Sequence, residues 1–201
     1  MLPEYINSTR VQVVAATAVA TMQAAPLWAG PPAAVSAAGG APACNLGFVM
    51  QQQQQTQWCW SAVSVSTSLF YNPASTWTQC TLANQQLGQT TCCLNGSSTA
   101  CNRPWQLDQA LQATGNLTNW SAGAAGFATV EQEINAGRPL AARIAWPKGG
   151  GHFVTLDGYD TAGGQYLSVK DPFYGTSTYP YASFQSAYRG SGSWSHSYYT
   201  H

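Results

Sequence analysis

The sequence predicts an α+β fold built as one domain, and three observations predict it. Apolar residues recur at helical spacing as far as about Ala136, and after Gly137 the spacing changes to two. Helices first and strands later is the α+β order. At 201 residues and 21.3 kDa the chain can bury one ordinary core but not two.

Residues 1–45 stand apart from the rest. Val11–Ala43 is mostly Ala, Val, Gly and Pro, and Arg10 is its last charge. Val11–Ala25 is too short and too polar for a membrane span. It reads as an atypical signal peptide with a Pro/Ala spacer, and Ala41-Pro42-Ala43 resembles a small-residue cleavage site. A disordered tail or a pro segment is the other reading. Residues 46–201 are then the folded domain.

Within that domain Thr56 can cap a helix running to about Tyr71, with Ala62, Val63, Ser66, Leu69 and Phe70 on one face. Asn72-Pro73 ends it. A short helix spans about Leu82–Leu87 and stops at Gly88. Gly88–Asn102 is a Cys-rich loop. Pro104 opens a further helix that Gly115 stops, and Thr129–Ala136 is another, stopped by Gly137. Then Leu140, Ala142, Ile144 and Trp146 alternate with Ala141, Arg143 and Ala145 as a strand. After Gly149-Gly150-Gly151, runs at His152–Tyr159 and Gln165–Asp171 read as a hairpin, Tyr181–Tyr188 as a short helix and Ser193–His201 as a last strand.

Composition excludes several functions. Only 7% of residues are charged and the net charge is zero, so no basic patch is present to neutralise phosphates and a nucleic-acid partner is excluded. A highly charged disordered chain is excluded as well. Solubility comes from neutral polar groups, which suits a secreted, extracellular protein. Of 6 Cys, four fall within Cys80–Cys101 and no Cys-x-x-Cys occurs, so disulfides fit better than zinc. A bridge between adjacent Cys92 and Cys93 is strained, which leaves two pairings among Cys80, Cys92, Cys93 and Cys101. Such staples need an oxidising compartment. Cys44 and Cys59 are left over.

Cys59 lies in Trp58-Cys59-Trp60-Ser61-Ala62, in the first turn of the first predicted helix. Unpaired N–H groups and the helix dipole favour an anion there, and so favour the nucleophilic thiolate. The bland alternative is a small buried hydrophobe. The hairpin supplies two more groups. A four-residue loop at Asp160–Gly163 pairs Leu156 with Leu167, Val154 with Val169 and His152 with Asp171, all on one face. That apolar register sets an imidazole beside a carboxylate able to orient it. Against this stands a surface His and a turn-forming Asp before Pro172. His196 and His201 lie in a polar aromatic tail outside this constellation, and Arg138 and Arg143 read as structural or solvated.

With these residues the sequence resembles the papain-like cysteine peptidases, specifically a bacterial branch of secreted and host-delivered effector proteases. The matching residues are Gln53, six positions before Cys59; Trp58–Ala62; Gln79-Cys80 with Leu82-Ala83-Asn84; Cys92-Cys93; Gly137-Arg138-Pro139; Gly150–Val154; and Asp171-Pro172. The resemblance implies two lobes, a helical one opening with the cysteine helix and an antiparallel β lobe carrying the histidine. It implies Cys59 as nucleophile, His152 as acid and base, Asp171 as orienter, and a glutamine oxyanion donor at Gln53, with Gln54 and Gln55 as rivals in the run Gln51–Gln55. The backbone N–H of Cys59 is the second donor. Acyl transfer of this kind needs no metal or organic cofactor. The partner is a protein or peptide substrate, and the chain acts as a monomer without a membrane span. Many family members carry a long inhibitory prosegment, whereas only 45 residues precede the domain here, with Cys44 a propeptide or free thiol. Two rivals remain: an acyl-transfer relative such as a cell-wall amidase or transglutaminase-like enzyme, and an extracellular binding module in which the triad is unused.

Overall fold

A computed structural model describes residues 42–201. Of the leader expected at 1–45, residues 1–41 lie outside the described residues. The fold is α+β. Its elements are β1 (Ala43–Asn45), α1 (Cys59–Tyr71), α2 (Gln79–Leu87), α3 (Leu107–Ala113), β2 (Leu117–Ala122), α4 (Phe127–Asn135), β3 (Leu140–Ala145), β4 (Gly151–Asp160), β5 (Tyr166–Asp171), β6 (Gly175–Pro180), α5 (Tyr181–Ala187) and β7 (Ser193–Thr200). The strands form one antiparallel sheet in the order β2-β7-β3-β4-β5-β6, and β1 continues the β3 side of β4. No helix among the described residues is long and apolar enough to cross a membrane.

The sheet is the middle layer. On one face α1, α2 and α3 pack Trp60, Val63, Leu82, Leu107 and Leu111 against Ala141, Phe153 and Tyr198. On the other, α4 and α5 bring Val130, Ile134 and Phe184 onto Leu140, Ile144, Val154, Leu156 and Val169. This double cover explains why β4 is buried on both faces from His152 to Tyr159. Polar residues of the hairpin are covered too. Thr155 and Asp157 are fully buried, and the Asp157 carboxylate accepts the Ser168 hydroxyl at 2.7 Å and sits 3.5 Å from Lys170 Nζ.

Two local expectations are corrected. The loop of the β4–β5 hairpin is not Asp160–Gly163, because Asp160 itself pairs with Tyr166. Asp160 is held in the ladder by its pairing with Ala43, and its side chain accepts the Ala162 N–H, so the turn starts later. A bulge at Asp157 then shifts the register to Leu156 opposite Val169 and Thr155 opposite Lys170. Nor does Thr56 cap α1. The chain turns between Gln55 and Trp58, Trp58 is the N-cap residue, and Cys59 is the first residue of the helix. The capping box expected of a helix start occurs instead at α2, between Thr78 and Thr81.

Candidate active site

Cys59 opens α1 because the residues before it are tied elsewhere. The Trp58 indole donates to the Cys101 carbonyl at 2.8 Å and the Trp60 indole to the Arg103 carbonyl at 3.0 Å. The Gln57 N–H donates to Asn102 Oδ1, and Asn102 Nδ2 donates to Thr56 Oγ1, both at 2.9 Å. The loop providing these partners is closed by disulfides Cys80–Cys93 and Cys92–Cys101, one of the two pairings open from sequence. A stapled loop thus sets the helix mouth. Cys59 is a free thiol, 8% exposed, and its backbone N–H has no acceptor among the described residues.

His152 is the second residue of β4 and Asp171 the last of β5. Extending the observed register sets Val154 across from Asp171, so His152 reaches the carboxylate diagonally rather than from directly opposite. Both still fall on one face of the hairpin, since the register differs by an even step. His152 Nε2 lies 2.9 Å from Asp171 Oδ1. The same oxygen accepts the N–H groups of Phe173 at 2.7 Å and Tyr174 at 2.9 Å, and Oδ2 accepts the Tyr188 hydroxyl at 2.6 Å. Nδ1 is then the ring nitrogen left for Cys59.

The electrostatics follow from this arrangement. Burial alone would pull His152 down, but the hydrogen bond to Asp171 and the Cys59 thiol facing the ring push it up to about 9. Burial alone would raise Asp171, yet the bonds from His152, Tyr188 and the Tyr174 N–H hold it below the usual carboxylate range. At neutral pH an imidazolium therefore stands between a carboxylate and a sulfur. Among the described residues no three His, Cys, Asp or Glu side chains gather as a metal site.

Gln53 lies on the loop before Cys59, anchored by its N–H to the Pro172 carbonyl at 2.9 Å. Its Nε2 donates to the carbonyls of Gln55 at 2.8 Å and Thr56 at 3.0 Å, and its Oε1 is buried without a partner. Gln54 is exposed, and the Gln55 amide lies against Gly96 of the Cys-rich loop. Sequence reasoning missed Tyr188 and Asn102. Neither carries a local signal, because each acts through a contact made only when distant segments meet.

A thiol at a helix start and a His–Asp pair on an antiparallel sheet are the parts of a cysteine peptidase fold. Residues 45–196 match the model of the Peptidase_C39 like family, and the chain belongs to that family. No curated protein matches it.

Proposed function

We propose that this chain is an exported cysteine peptidase of papain-like architecture, related to the bacterial secreted branch, and that it acts as a monomer on protein or peptide substrates. The observation carrying the reading is the His152 ring, bonded to Asp171 on one side and facing Cys59 on the other. Cys59 Sγ attacks the scissile carbonyl carbon, a C–S bond forms, and the carbonyl π pair moves to oxygen. The free N–H of Cys59 donates to that oxyanion. Gln53 supplies a second donor by exchanging one of its carbonyl bonds. His152 protonates the amine as the C–N bond breaks, then accepts a proton from the water that cleaves the thioester, releasing the acid and the thiolate. Asp171 holds the ring tautomer and offsets the imidazolium charge.

Export fits the two disulfides, which persist in oxidising compartments, and residues 1–45 serve as a signal peptide or pro segment. The test is hydrolysis of a casein or fluorogenic peptide substrate by the wild type and by Cys59→Ala. Activity is expected in the first and none above background in the second. Cleavage that survives Cys59→Ala would overturn the reading.

A further inference from the structure

The glycine run before His152 and the arginine on the neighbouring strand belong together. Gly149 and Gly150 take φ of 91° and 82°, a turn conformation that suits glycine. Gly151 matters for a different reason: a Cβ there would stand 2.8 Å from Arg143 Nη2 and 2.9 Å from Cζ, so a larger residue would displace the guanidinium. The guanidinium therefore lies flat on the backbone one residue before the histidine. It donates from Nη1 to Ser195 Oγ at 2.9 Å and from Nη2 to the Gly150 carbonyl at 3.4 Å. Among the described residues it forms no ion pair, unlike Arg138 with Glu133 or Lys170 with Asp157. In a chain that is 7% charged, a fixed cation with no ion-pair contact on the strand beside β4 is a specific feature.

Arg143 also lines a groove of about 330 Å³ with Trp105, Trp120, Phe153, His196 and Tyr198. Phe153, Arg143 and His196 are direct neighbours across β4, β3 and β7. Phe153 and Tyr198 belong to the core that includes Cys59, so the groove opens on the sheet face that carries the nucleophile helix. Burial, with Arg143 nearby, draws His196 below its ordinary value, which leaves Arg143 as the groove's cation at neutral pH. Asp108, in the first turn of α3, places the opposite charge on the helical wall.

We propose that this groove is an anionic-ligand subsite in which Arg143 receives a carboxylate of the bound peptide. The inference rests on the peptidase reading and adds the substrate chemistry. Aromatic walls cover the apolar part of the segment, and the guanidinium offers its remaining N–H groups to the carboxylate oxygens. Asp108 repels an anion from the other wall and so fixes its position. The carboxylate comes from a Glu or Asp side chain or from a peptide C-terminus, since both present the same group.

The test uses the full chain and three matched peptide series: an internal Glu walked through the positions around the cleavage site with an amidated terminus, the same series with Gln, and a Gln series ending in a free carboxylate. At one position the wild type should cleave the Glu or free-acid peptide about tenfold more efficiently than its Gln partner, as a charge-assisted hydrogen bond at a half-exposed site gives. Arg143→Gln should abolish that ratio while still cleaving the Gln peptide, and Arg143→Lys should retain part of it. Asp108→Asn, which leaves the anchors of Arg143 intact, should raise the ratio. Equal cleavage of Glu, Gln and free-acid peptides at every position, or a preference that persists in Arg143→Gln, would overturn the subsite and leave the peptidase reading standing. Cleavage of no peptide in any series would overturn the peptidase reading, and the subsite with it.

Discussion

Cys59 and His152, the proposed nucleophile and base, are held by different physics. Around Cys59 the support is covalent and polar: two disulfides close a loop whose carbonyls and Asn102 receive or give bonds to Thr56, Gln57, Trp58 and Trp60. Around His152 and Asp171 it is sheet pairing and aromatic packing. Tyr188, the hydroxyl partner of Asp171, is fully buried among Tyr179 and Phe184, with ring centroids 4.9 and 5.2 Å away. One half of the site therefore depends on redox state and the other does not. A loop with little apolar surface needs covalent closure to order itself, whereas a sheet covered on both faces is ordered by burial.

The largest effect expected from breaking the base side is His152→Ala, which should lower kcat/KM by about a thousandfold or more. Asp171→Ala should cost less, because its role is orientation. Steady-state kinetics on one peptide substrate check both, and an Asp171→Ala loss equal to that of His152→Ala would make the carboxylate more than an orienter.

The nucleophile side breaks differently. Replacing Cys92 and Cys101 together by Ser removes one staple and should lower stability by about 2–4 kcal/mol, a drop in Tm of roughly 5–15 °C at this chain length. Activity should fall with it, while the near-ultraviolet signal of the aromatic cluster around Tyr188 is retained below the transition. Reductant should act in two directions in the wild type, keeping the Cys59 thiol reduced but opening the staples, so activity should peak at moderate concentration. Calorimetry and a reductant titration check this, and a staple variant with unchanged Tm and activity would remove the contrast.

The smallest expected effect sharpens the comparison through pH. Tyr188→Phe should lower kcat about threefold to tenfold with KM unchanged, as loss of one hydrogen bond to a charged group predicts. Tyr188 helps hold Asp171 low, so its removal should move the acid limb of the rate profile to higher pH, which a purely structural loss would not do. The alkaline limb should lie at about 9, where His152 loses its proton. The sign for stability is the same. A histidine raised from 6.5 to about 9 contributes fully below pH 6.5, and that contribution is lost as pH rises through 9.

Much of this was legible in the sequence, for identifiable reasons. Period-two alternation found β3 and β7, and helical spacing with glycine stops found the helices to within a few residues, whereas the cap expected at Thr56 was not there. The short strands β1, β2 and β6 were not legible, since Leu117–Ala122 and Gly175–Pro180 carry mostly polar or exposed residues and owe their conformation to pairing alone. The hairpin faces were read correctly and the register was not. Parity survives an even shift, whereas the bulge at Asp157 and the strap of β1 on β4 have no signature in the alternation. The Gln53 amide shows the same limit, because spacing to Cys59 says nothing of the carbonyls it meets.

The claim at the centre is that the His152 ring facing Cys59 makes that thiol the reactive one, and Cys44 is the internal control. Cys44 is also a free thiol, but burial raises it and no histidine partners it among the described residues. The measurement is the rate of iodoacetamide alkylation at each thiol at pH 6, mapped by mass spectrometry without reductant, in the wild type and in His152→Ala. Cys59 should react at least about tenfold faster than Cys44 in the wild type, and that advantage should vanish in His152→Ala while Cys44 is unchanged. Equal rates at the two thiols in the wild type, or a Cys59 advantage undiminished without the imidazole, would contradict it.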